Sequence, residues 1–369
     1  MLYKRMAIEK ESPEEAGYDT IQYNLAESSV KDLRFKDLEV NLNDISLEYI
    51  PHRGHVGLRQ LLVAEAGLKN EHQALLTNGA AGALFIVHTS LLTAADHLIV
   101  IQPNYATNIE VPLTIGCAIT FIRLQFEDNW RIPITAIKEA IRPNTKLISI
   151  TTPHNPTGML MTEAELQAIT ALAEENDTWL LADETYRDTC FTTPYPVLAS
   201  RSEKIISVSS LSKAFGLPGL RMGWILTQRE YLMEQFLAAK EMIYISNSAI
   251  DEACAFQFYT KKEKFAAAIN QRAMHNFQLL RTWLQTEKRL EAVLPEGGVV
   301  CFARFRADFS VNTAAFYETL QKKYSTMVGP GHWFAMPDLY MRIGFGWADA
   351  PVFQQGLINI SLAIDECSV

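Results

Sequence analysis

The chain has 369 residues, 48% of them hydrophobic and 20% charged, with a formal net charge of −9. A chain of this length can bury roughly three quarters of its unfolded surface, enough for one large or two modest domains. The acidic balance excludes nucleic acid, which needs a basic patch, and no window reaches the ~18 uninterrupted apolar residues of a membrane span.

In chain order, the first stretch, MLYKRMAIEKESPEEAG, is mixed in charge and lacks an apolar run of signal length. A cytoplasmic location is expected. From about residue 75 to 227, short β-branched runs alternate with amphipathic stretches. Strands are predicted at HLIVIQP (97–103), AITFI (118–122), KLISITTP (146–153), TWLLADE (178–184), KIISVSS (204–210) and GWILT (223–227). Helices are predicted at 79–94, 104–114, 133–141 and 162–176. Such alternation implies α/β architecture, a largely parallel sheet with helices on both faces. From about 228 to 285 the pattern is helical with a single Asn-Ser interruption, and strands return at 297–305 and 339–346 around a helix near 312–323. The expected organisation is an N-terminal segment (1–45) packing with the small domain, a large cofactor-binding domain (46–265) and a small C-terminal domain (266–369).

The cysteines Cys117, Cys190, Cys254, Cys301 and Cys367 are odd in number and far apart, so no disulfide framework or metal knuckle is expected. His52 and His55 stand three apart in HRGH without a carboxylate pattern, and the other histidines are mostly isolated, so no metal is expected.

Ligands of parallel sheets sit beyond the carboxyl ends of the strands. There the chain places PHNPTG, ADETY and SSLSK, and the helix after the first strand opens with TNGAAGAL. A helix start rich in small residues offers free N–H groups to an anion, and Arg221 can supply a matching positive fork. Lys213 is the only charge between Ser207 and Arg221, which suits a Schiff-base nucleophile. Asp183, at a buried strand end, needs a cationic or hydrogen-bonding partner. Together these groups describe pyridoxal 5′-phosphate. There is no GxxxxGK[ST] for a nucleoside triphosphate, and GLPGLRMG is not a GxGxxG turn.

NPTG at 155–158, DETY at 183–186 and SLSKAFGLPGLRMGW at 210–224 carry a resemblance to the class I/II aminotransferases, the fold-type I pyridoxal-phosphate enzymes typified by aspartate aminotransferase. The resemblance spans about residues 20 to 365 and implies a seven-stranded, mostly parallel sheet sandwiched by helices, plus a smaller α/β domain. It implies that Lys213 forms the internal aldimine and shuttles the substrate proton. Asp183 would face the pyridine nitrogen and keep it protonated. Tyr186 and Asn155 would hydrogen-bond the phenolic oxygen, with His154 a support or a packing residue. The phosphate would be held by Gly79, Ala80 and Ala81 N–H groups, Ser210 and Arg221, with a lesser contact from Ser212. Tyr105 would stack on the ring, Tyr49 would reach the phosphate of a neighbouring subunit, and Arg342, in YMRIGFG, would grip the substrate α-carboxylate. A homodimer sharing its active sites follows.

Where relatives carry a Gly-rich segment, this chain reads YNLAESSVKDL (23–33). Glu27 and Ser28 would bring acidic, polar character to the substrate side chain and favour a basic substrate, the alternative being that Glu27 caps a helix or pairs with an arginine. NLAES followed by YIPHRGHVGLR is similar to the subgroup containing capreomycidine synthase. The expected activity is transfer of an amino group from an α-amino acid to a 2-oxo acid in ping-pong half-reactions. Alternatives are a cyclase, lyase or decarboxylase acting on a basic amino acid, or a non-catalytic regulator or scaffold on the same body. Such regulators usually carry a fused DNA-binding domain in front, and none is expected here.

Overall fold

The computed structural model describes residues 3–368. It opens with two short helices, α1 (Ala7–Glu11) and α2 (Pro13–Ala16), followed by strand β1 (Tyr23–Asn24). Pro13 sits at the first helical position, where a missing N–H is harmless and the fixed φ suits the turn. Helix α3 (Val56–Ala66) lies where the sequence reading places no element. His55 Nδ1 accepts the Leu58 N–H at 3.1 Å and caps it, while His52 Nδ1 lies 2.6 Å from Glu241 Oε1. His55 thus serves local structure and His52 a contact between distant segments.

The main sheet follows in alternation: β2 (Ala74–Asn78), α4 (Gly79–Leu91), β3 (His97–Gln102), α5 (Thr107–Ile115), β4 (Ala118–Arg123), α6 (Ile134–Ala140), β5 (Thr145–Thr151), α7 (Glu163–Glu175), β6 (Trp179–Asp183), β7 (Ile205–Ser210) and β8 (Met222–Leu226). Seven strands stand in the order β2-β8-β7-β6-β5-β3-β4. All neighbours run parallel except β8, which is antiparallel to β2 and β7. The segment between β7 and β8 holds no crossover helix, and without one the chain can only return antiparallel. The strands are near-continuous apolar runs because both faces are covered. Ile99, Ile101, Ile148 and Ile150 enter one core, and Leu98, Val100, Leu147 and Leu181 the other.

Some predicted helical bounds shift. Helix α5 starts at Thr107 rather than 104, because the Asn104 side chain accepts the Tyr105 N–H at 2.7 Å and holds a loop open there. The region expected to break once breaks twice, into α8 (Glu230–Tyr244), α9 (Ala249–Tyr259) and α10 (Lys262–Thr286). At the first break Ile245 turns to φ +56° and Ser248 caps α9. The second, at Thr260–Lys261, contains no Gly or Pro, so the apolar pattern reads through it. Helix α10 runs unbroken across the expected boundary at 265/266.

A second sheet contains β9 (Leu290–Ala292), β10 (Val300–Phe305), β12 (Gly329–Pro330) and β13 (Tyr340–Gly344), ordered β12-β13-β10-β9 and antiparallel throughout. Helix α11 (Thr313–Lys322), strand β11 (Thr326–Met327) and a final helix α12 (Ala350–Cys367) complete it. Strand β1 pairs parallel with β11, which ties the N-terminal segment to this unit. A second tie is His332, 2.7 Å from Glu11 and 2.8 Å from Asp338, with Trp333 Nε1 donating to Glu11 at 2.8 Å. Burial pulls the His332 imidazole down, but hydrogen bonds to the two carboxylates outweigh it and hold its pKa above the usual value. No helix among the described residues is long and apolar enough to cross a membrane. The five cysteines are all unpaired.

Candidate active site

Parallel strands deliver their carboxyl ends to one edge, and here that edge opens on a cavity of about 320 Å³. Thr151 closes β5, Asp183 closes β6 and Ser210 closes β7, and all three line it. Because β8 runs the opposite way, Arg221, which precedes it, lies at the same edge. Strand β2 is antiparallel to β8, so the start of α4 arrives there too.

Ala80 and Ala81 line the cavity from the first turn of α4, where the helix supplies no carbonyl for their N–H groups. Gly79 departs from expectation. Its N–H donates to the Arg221 carbonyl at 2.8 Å, because β2–β8 pairing continues past Asn78, and it is committed to structure. Its own contribution is space: at φ +69°, a Cβ would lie 2.7 Å from Arg221 Nη2, so the guanidinium packs directly on the helix start. Ser210 and Ser212 line the same end, linked by a Ser212 N–H to Ser210 Oγ contact of 3.3 Å.

Lys213 lines the cavity from the turn after β7, half-buried, with its carbonyl accepting the Val30 N–H at 2.9 Å. Asp183 is 5% exposed and meets no cation within ion-pair distance among the described residues. Burial raises its pKa, while the Thr185 N–H (3.1 Å) and hydroxyl (2.6 Å) pull the other way. Tyr186, also buried, has a hydroxyl with no partner among the described residues. Tyr105 faces the same space and donates to Glu9 Oε1 at 3.1 Å. His154 is buried and neutral, its pKa pushed down to about 4 by burial. It sits 2.8 Å from both the Pro103 carbonyl and Thr157 Oγ1, joining two strand-end loops.

Arg342 reaches in from β13, its Nη1 donating to Asn155 Oδ1 (3.1 Å) and its Nη2 to the Ala26 carbonyl (2.8 Å). It is 3% exposed, its Nε has no partner among the described residues, and its guanidinium lies 5.0 Å from the Phe334 ring centroid. Burial lowers its pKa, and among the described residues no carboxylate lies within 4.0 Å of it, so a buried cation stands here without an anion. Gly344 brings the 25–28 segment close, since a Cβ there would fall 1.7 Å from the Glu27 carbonyl. Glu27 and Ser28 both line the cavity. Among the described residues Glu27 pairs with no arginine and caps no helix; its Oε1 accepts from Tyr18 at 3.0 Å. Tyr49 is 83% exposed and lies outside the cavity of its own chain. The sequence reading missed Glu9, Ser12, Glu14 and Trp333, which line the cavity from α1, α2 and the turn before β13. Ser-Pro-Glu-Glu signals a helix start, but not where that helix docks.

These groups could hold an anion against Ala80, Ala81, Ser210 and Arg221, a protonated ring nitrogen at Asp183, and a ring oxygen beside Tyr186 and Asn155. The aminotransferase class I and II family model matches residues 21–350. Capreomycidine synthase of Streptomyces vinaceus is 26% identical over 315 residues, covering 84% of this chain and 79% of that protein. Arginine–pyruvate transaminase of Pseudomonas aeruginosa is 25% identical over 295 residues, covering 78% and 74%. A pyridoxal-phosphate-dependent aminotransferase structure from Streptococcus suis superposes with a TM-score of 0.91 at 24% identity, over 100% of this chain and 99% of that one. The fold is thus that of the fold-type I, aspartate aminotransferase-like proteins. On the strength of a match that spans most of its length, the chain belongs to the class I and II aminotransferases, a family that works with pyridoxal 5′-phosphate.

Proposed function

We propose that the chain is an aminotransferase that moves the amino group of an α-amino acid to a 2-oxo acid. The observation that carries this reading is that Lys213, Asp183 and Arg342 line one cavity and none of them has an ion-pair partner among the described residues. The cofactor supplies an electron sink for the carbanion formed at the substrate Cα. The chain supplies the rest. Arg342 grips the α-carboxylate and so fixes the Cα, and Lys213 Nζ carries the proton taken from it. The Asp183 carboxylate keeps a ring nitrogen protonated. The Tyr186 hydroxyl and the Asn155 amide, whose Oδ1 is already held by Arg342, donate toward a ring oxygen.

Holoenzyme given one amino acid and no oxo acid is expected to release about one equivalent of the matching 2-oxo acid per Lys213 and then stop. Turnover without any oxo acid would refute transamination. It would favour a cyclase, lyase or decarboxylase instead, a reading supported by the likeness to capreomycidine synthase.

The same proposal includes a homodimer. Leu47 (79%), Tyr49 (83%) and Met242 (87%) are large side chains standing in solvent, and the His52–Glu241 contact brings their two segments together. A second copy covers this face, and Tyr49 then reaches the neighbour's phosphate site. Light scattering should give twice the chain mass for active enzyme, whereas a fully active monomer contradicts it.

A further inference from the structure

We propose that Glu9, Ser12, Glu14 and Glu27 form a subsite for the cationic end of the substrate, so that the preferred substrates are α-amino acids with a distal ammonium or guanidinium group. The inference rests on the reading above that the cavity takes an α-amino acid.

The charges lining the cavity sort by place. Arg221, Lys213 and Asp183 stand at the strand ends, and Arg342 faces them from the second sheet. The remaining ionised groups, Glu9, Glu14 and Glu27, are all acids from the N-terminal part of the chain. On that same segment, Glu11 and Glu15 point elsewhere and are paired, with His332 at 2.7 Å and Arg5 at 3.1 Å. The three cavity-lining acids meet no cation within 4.0 Å among the described residues. Their partners are neutral: the Tyr105 hydroxyl holds Glu9 and the Tyr18 hydroxyl holds Glu27, which orients the carboxylates without neutralising them.

A second observation points to a ligand at the same place. Ser12 lies between Glu9 and Glu14, lines the cavity and is 5% exposed, yet its Oγ has no partner among the described residues. A buried hydroxyl left unpaired is costly, so a donor or acceptor from the ligand is the missing partner. Arg342 sets the polarity. The negative charges of Glu14 and Glu27 reach it across the cavity, but neither carboxylate binds it. A ligand with a carboxylate at Arg342 and a cation among the glutamates satisfies both ends, while a distal carboxylate meets like charge.

The test uses holoenzyme, one 2-oxo acid held at fixed saturating concentration for turnover, and four probes: L-arginine, L-lysine, L-norleucine, which shares lysine's carbon chain without the ammonium, and L-glutamate. Both kcat/KM and calorimetric Kd are read. Arginine and lysine are expected to exceed norleucine by about tenfold or more, and glutamate to be poorest. Glu14→Gln and Ser12→Ala should each shrink the arginine-to-norleucine ratio, and Glu14→Lys should raise glutamate relative to arginine. A charge-blind wild type that still processes norleucine overturns this inference and leaves the aminotransferase reading standing. So do variants that lower all four probes alike. Failure with every probe, and with alanine, overturns both.

Discussion

Lys213→Ala is expected to lower turnover at least about 10⁴-fold and to leave the melting temperature of the cofactor-free protein within a few degrees of wild type. The two halves of that expectation come from different parts of the residue. The Lys213 carbonyl accepts the Val30 N–H, a contact that alanine keeps. Packing around the turn is carried by Leu211, Ala214 and Phe215, all nearly fully buried. The ammonium, by contrast, ends in the cavity without an ion pair among the described residues, so its removal takes away chemistry and little packing. Lys213→Arg separates charge from reactivity. Arginine retains the positive charge but stays protonated at any working pH, so it cannot act as an amine nucleophile or proton carrier. It should be as inactive as alanine. Turnover by either variant above about one hundredth of wild type would mean that another group carries the reaction.

The sheet and its edge were legible in the sequence because both signals are local. Buried parallel strands read as continuous β-branched runs, and the polar residues that interrupt them fall at their carboxyl ends. Asp183, Ser210 and Arg221 therefore stand at one edge by topology alone. Much of what failed to read depended on contacts between distant segments. Nothing near TNGAAGAL announces that the Gly79 N–H is consumed by Arg221, because that bond comes from β2 lying beside β8. Helix α12 buries Phe353, Leu357, Ile360 and Ile364 at helical spacing, and attention to that period would have found it. The second break in the helical third has no such signal, since Thr260 and Lys261 are ordinary helix residues. The position of Glu27 in the sequence suggests the substrate side of the site, with capping or ion pairing as the alternative, whereas Glu9, Ser12 and Glu14 sit in a stretch that reads as a solvated helix start. Their arrival depends on β1 pairing with β11 and on Glu11 meeting His332 and Trp333.

Asp183→Asn should separate stability from activity in opposite directions. Asp183 is buried with no cation within ion-pair distance among the described residues, and burial holds its pKa above the usual carboxylate range. In a group whose folded pKa is raised, ionisation penalises the folded state. That penalty is absent below the unfolded pKa of about 4, grows as pH rises to the folded pKa, and stays constant above it. Asparagine removes the ionisation, and its Oδ1 can still accept from the Thr185 N–H and hydroxyl. Cofactor-free Asp183→Asn is therefore expected to be at least as stable as wild type at neutral pH, and to lack this acid-range component of the stability profile. Turnover should move the other way, falling about 10³-fold or more, because a neutral amide cannot hold a proton on a ring nitrogen. Saturating cofactor should accordingly raise the melting temperature of wild type by more than that of the variant. Melting curves with and without cofactor between about pH 4 and pH 8, set beside kcat, read all three. A variant that is less stable without cofactor, yet turns over within tenfold of wild type, would make Asp183 a structural residue and remove the site's claim on a protonated ring.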